Sequence, residues 1–137
     1  MITTPIELPF VTIYYEEPVI VFNYKPDTLL GVPELKKIVA VAENLSEGKP
    51  YVTFSDVRST INMTEQAKKF LADPKNMPLF RGSAILVSTT LFSFAVNFAL
   101  SFSKKTYPIK AFVTEEKASE WLRLLSLEDK VAVFEVS

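Results

Sequence analysis

With 137 residues, 48% apolar and 23% charged, the chain has the make-up of one globular domain, expected to span residues 1–137, and wholesale disorder is excluded. A net charge of -1 supplies no basic field, so nucleic acid is not expected as a partner. Cysteine and histidine are both absent, which removes disulfides, thiol nucleophiles, the usual zinc sites and the commonest neutral-pH proton shuttle; no metal or cofactor is expected.

Residues 1–10 carry no positive segment before an apolar run and no small-residue cleavage pattern, so a signal peptide is not expected, and the expected location is the cytoplasm. Residues 7–15 and 19–24 are rich in β-favouring types and predict two strands joined by Glu16-Glu17-Pro18, an N-terminal β-hairpin. Pro9 cannot donate to a ladder, which places the first strand at an edge or at a bulge. Residues 25–31 read as a turn.

Pro33 and Glu34 open the first helix, and Leu35, Ile38, Val39, Ala42 and Leu45 give it a single apolar stripe that ends at Gly48. Residues 51–55 predict a third strand, followed by the polar loop 56–60. A second helix starts near Asn62 or Thr64, the two rival caps, and stops at Pro74. Residues 83–88 predict a fourth strand and 90–104 a third helix, capped by Thr89 or Thr90. Residues 109–113 predict a fifth strand. Thr114 caps a fourth helix with Ala118, Trp121, Leu122 and Leu125 inward, and 131–136 predict a last strand. The expected fold class is therefore α/β: a mostly parallel or mixed central sheet, an N-terminal hairpin, about four helices, and right-handed crossovers.

From 83 to 103 no residue is charged, and a hydropathy window alone would suggest a membrane span. Ser88-Thr89-Thr90 sits where a turn belongs, so a strand–turn–helix unit is the expectation, not a span.

Four residue runs carry a family resemblance. They are Phe54-Ser55-Asp56-Val57-Arg58 after a central strand, Ser88 before a Phe-rich helix, Tyr107-Pro108-Ile109-Lys110-Ala111-Phe112, and Glu115-Glu116-Lys117-Ala118-Ser119-Glu120-Trp121-Leu122. In these runs and in element order, residues 29–125 resemble the STAS and SEC14-like group, and in particular the SpoIIAA-like bacterial proteins. The resemblance implies a cytoplasmic regulatory domain that binds protein and self-associates. Anti-sigma-factor antagonists of this group carry an Asp-Ser-Ser-Gly-type phosphorylation motif at the second helix. The matching place here reads Asn62-Met63-Thr64-Glu65, without that serine. Thr64 is the candidate phosphoacceptor, with helix capping as its plainer role.

Ligands of open α/β sheets gather at the carboxyl ends of the strands. Two such ends are polar here, one with Asp56 and Arg58, the other with Ser88, Thr89 and Thr90. Together they could hold a small anion. The favoured alternative is that Asp56 and Arg58 pair with each other while the threonines cap the helix. Catalysis is not expected, since no base stands at a diagnostic spacing from a nucleophile.

The Phe-rich helix is the informative segment. Wound at about 100° per residue, 90–104 puts Ser93, Asn97, Ser101 and Lys104 on one polar stripe and apolar side chains almost everywhere else. A helix on a sheet needs a narrower apolar arc than that. The flank of Phe92, Val96 and Leu100 is then left for something else. Self-association through this flank, giving a homo-oligomer, is the first expectation, with any other protein partner unidentified. A small apolar molecule or lipid held against the helix is the alternative.

Overall fold

Alternating β-favouring residues open the chain as strands β1 (Ile6–Glu7), β2 (Val11–Glu16) and β3 (Val19–Tyr24). Then come β4 (Thr28–Leu30), helix α1 (Val32–Leu45), β5 (Tyr51–Asp56), β6 (Ile61–Met63), helix α2 (Glu65–Ala72), β7 (Phe80–Leu86), β8 (Ile109–Phe112) and helix α3 (Glu115–Val136). The computed structural model describes residues 4–59, 61–90, 92, 96–97 and 107–136, without the side chains of 61 and 126–136.

Six strands form one mixed sheet in the order β1-β2-β3-β5-β7-β8. The first two pairings are antiparallel and the remaining three parallel. A second, two-stranded sheet joins β4 to β6 in parallel. The pleat of the large sheet sorts its side chains into two cores. On one face Ile13, Ile20, Phe22 and Tyr51 pack against Leu35, Ile38 and Ala42 of α1 and Ala67 of α2. On the other, Val52 and Ala84 pack against Ala118 and Leu122 of α3, with Trp121 beside Phe112. The sheet is thus covered by helices on both faces, the α/β layering that the alternation of elements predicts.

Local chemistry sets the helix ends. Glu34 reaches back to the Gly31 amide at 2.9 Å, and Thr64 caps α2 by accepting from the Ala67 amide at 3.0 Å. Asn62, the rival cap, lies in β6. Past α1, Glu47 and Gly48 both adopt positive φ, and the Gly48 amide closes back on Glu43 O at 3.2 Å.

The structure differs from the expectation in several places. The strand expected over 7–15 is two: the chain bends at Pro9, and Ile6 folds back opposite Ile13. Within the expected turn 25–31 lies β4, whose Thr28 and Leu30 are buried while Leu29 between them is 60% exposed. Three residues are too few to display that alternation in sequence. The last strand, 131–136, is instead the end of α3. No glycine or proline stands between 115 and 136 to stop the helix, and a short Val-rich run cannot distinguish the two states by itself. Helices that run as continuous elements among the described residues are three, not about four. The expected helix 90–104 falls mostly outside the described residues, although Thr90, Phe92, Val96 and Asn97 are helical. Among the described residues no helix is long and apolar enough to cross a membrane.

Gly82 of β7 lies close to the chain before β8 and to α3. A Cβ there would stand 3.0 Å from the carbonyl oxygen of Pro108 and 2.6 Å from Leu125 Cδ2. Gly82→Ala is expected to cost about 1–3 kcal/mol of stability through overpacking, read as a lower urea midpoint; an unchanged midpoint would show that β7 and α3 are less closely packed than described.

Candidate functional site

The same alternation that builds the core puts Tyr51, Thr53 and Ser55 of β5 on one face of the sheet. They form the floor of a cavity of about 350 Å³, together with Phe22 and Tyr24 of β3, Ser83 and Ile85 of β7, and Ile109 of β8. Leu35, Ile38 and Val39 of α1 roof one side, Met63, Leu71 and Met77 another, and Phe92 and Val96 the third. No charged residue is among the described lining. An aromatic row stiffens one wall: Tyr51 meets Phe80 at 6.2 Å between ring centres, and Phe80 meets Tyr107 edge-on at 4.5 Å. The Tyr107 hydroxyl then donates to Leu71 O at 2.6 Å, tying the end of α2 to the chain that enters β8.

Hydroxyls stand on this apolar floor. Thr53 Oγ1 donates to Ser83 Oγ at 2.8 Å, its partner directly across the parallel ladder. Ser55 and Tyr24 both line the same floor. Burial pushes the Tyr24 hydroxyl well above its ordinary value, against the lesser opposing effect of Ser55. Burial, helped by the Glu43 carboxylate, pushes Tyr51 up to about 12. None of these residues is a candidate on sequence alone. The signal was a row of hydroxyls at alternate positions of one otherwise apolar strand.

Of the flank expected on the Phe-rich helix, Phe92 and Val96 come together at this cavity, and Leu100 lies outside the described residues. Phe92 is still 51% exposed, at the rim. Asn97, which the periodicity assigns to the polar stripe, faces β8. Its Nδ2 donates to Ala111 O at 3.1 Å and its Oδ1 accepts from Ala111 N at 2.9 Å. That two-point bond holds Asn97 against β8, and its neighbour Val96 lines the cavity.

The polar strand ends do not assemble into an anion site. Arg58 is bidentate on Asp56, with Nε 3.0 Å from Oδ1 and Nη2 2.7 Å from Oδ2, and lies 3.7 Å from Glu115. Burial raises the Asp56 carboxyl, but the hydrogen bonds and charge of Arg58 outweigh it and hold the group below its ordinary value. On the other strand end, Thr89 accepts from the Phe92 amide at 3.0 Å as a cap, and Ser88, Thr89 and Thr90 are exposed. Among the described residues no hydrogen bond or ion pair joins Arg58 to that loop. Asp56, Arg58 and Glu115 border instead a cleft of about 790 Å³ on the opposite face, along with Tyr14, Val21 and Arg123. Its ion pairs are largely solvent-exposed and contribute little.

A family model described as a domain of unknown function (DUF7793) matches residues 13–126. No curated protein matches the chain. Among solved structures it is similar to an uncharacterised protein of the DUF3478 family from Shewanella loihica PV-4, with a SpoIIAA-like fold. Identity is 20% over 82% of this chain and 91% of that one, with a TM-score of 0.54. The likeness shows a SpoIIAA-like fold, and the fold alone.

The buried tyrosines give the site a signature in pH. With the Tyr51 value raised from 10.0 to about 12, its contribution to stability is whole below pH 10.0 and is lost as the pH climbs through about 12. Urea midpoints are expected to hold steady up to that window and then fall. Tyr51→Phe should make the fall shallower; an unaltered slope would mean that Tyr51 is not held in an apolar wall.

Proposed function

The chain belongs to the DUF7793 family of domains of unknown function, and we propose that it acts without catalysis by binding a small apolar molecule between the sheet, α1 and the Phe92–Val96 flank. The observation that carries this reading is the cavity itself. Its volume of about 350 Å³ lies within the range of small-molecule sites. Its described walls are almost wholly apolar, and the sheet, α1 and the Phe92–Val96 segment all contribute to it. A protein core of this size is ordinarily packed without such a void. A chain without cysteine fits a reducing compartment, and we place the binding event in the cytoplasm.

A second reading is supported by one observation. Phe92 remains 51% exposed at the cavity rim, and an exposed aromatic beside an apolar opening also suits a regulatory domain that binds protein by self-association. The two readings separate cleanly. Prodan, an uncharged naphthalene fluorophore, should bind saturably with a blue-shifted emission. Val39→Trp, which fills the cavity from α1, should weaken that binding at least about tenfold while the circular dichroism spectrum is kept. Absence of saturable binding, or binding indifferent to Val39→Trp, would sink the ligand reading. Light scattering on Phe92→Glu addresses the other: an oligomer that falls to monomer supports self-association, and a wild-type monomer excludes it.

A further inference from the structure

The Thr53–Ser83 hydroxyl pair on the cavity floor does not balance. A hydroxyl has one proton to donate, so a bonded pair of hydroxyls has two protons and uses one of them. Thr53 and Ser83 are 6% and 7% exposed and hold each other at 2.8 Å, with no other side-chain hydrogen bond among the described residues. One O–H of this pair is therefore left without an acceptor, on the floor of a cavity whose remaining described lining is almost all apolar. Buried donors of this kind ordinarily have an acceptor. No cation is among the described lining residues, so an anionic ligand would lose its water without gaining a counter-charge.

We propose that the molecule bound here is uncharged, with an apolar body and a carbonyl-type oxygen that accepts the spare O–H of the Thr53–Ser83 pair. The inference rests on the ligand reading above and narrows it from apolar molecules at large to ketones, esters and amides of modest size. Removing one hydroxyl of the pair leaves the other with its proton still free, so a single substitution does not remove the donor. Only removal of both does so, and it leaves no orphaned partner behind.

Three ligands of one shape test the idea by calorimetric titration: 2-acetylnaphthalene, 2-isopropenylnaphthalene and 2-naphthoate. The ketone is expected to bind about three- to tenfold more tightly than the hydrocarbon, and the carboxylate more weakly than the ketone. That preference should persist in Ser83→Ala and vanish in Thr53→Val combined with Ser83→Ala. The wild-type comparison needs no variant and decides the matter even where the double substitution fails to fold. A ketone-to-hydrocarbon ratio near one, a carboxylate that binds as tightly as the ketone, or a preference that survives the double substitution overturns the inference while leaving the cavity a binding site. Failure of all three to bind overturns both.

Discussion

Everything in this structure hangs on β5 being buried on both sides. It pairs in parallel with β3 and β7, and its pleat sends Tyr51, Thr53 and Ser55 one way and Val52, Phe54 and Asp56 the other. The first set meets the layer of α1 and α2, the second the layer of α3. A slip of one residue would exchange the two sets, putting aspartate into the cavity and hydroxyls under α3. The cavity and the α3 contact therefore answer to one register. Thr53 directly opposite Ser83 is the visible mark of that register, a buried polar contact that the alternative pairing would lose.

Much of this was legible in the residues, and where it was not, the reason is physical. The α1 stripe of Leu35, Ile38 and Ala42 is long enough for the helical period to declare itself, and those residues are buried as the period requires. Thr64 and Thr89 cap the segments they precede because a cap depends on chemistry two or three residues away. By contrast, β4 and β6 are three residues each, and they exist because they pair with each other across a long stretch of chain. No local pattern announces that. The tail 131–136 shows the opposite failure: a β-rich composition with no stop signal before it continues the helix it follows.

The candidate site was half legible for the same reason. The excess of apolar surface on the Phe-rich segment drew attention to Phe92 and Val96, and both reach the cavity. What periodicity could not give was direction. A polar stripe on a helix normally marks the solvent side, but Asn97 spends both ends of its amide on the Ala111 peptide, so the stripe turns to the sheet there. Asp56 and Arg58, the residues with the most chemistry in the sequence, are bound to each other at an exposed strand end. A spare buried donor sits instead with Thr53 and Ser83, residues that in sequence look like ordinary strand.

The Asn97 bond also decides how this protein can meet other chains. An unpaired outer strand is a template onto which a foreign strand can add, and runaway addition of that kind leads to fibrils. At β8 the Ala111 peptide is already occupied on its outer side by a side chain that copies the hydrogen-bonding pattern of a backbone. At the opposite margin β1 is only two residues long and gives way to Pro9. Both margins of the six-stranded sheet are thus blunted, one by mimicry and one by brevity. Association by lateral strand addition is disfavoured, and contact with another molecule is left to side-chain surfaces.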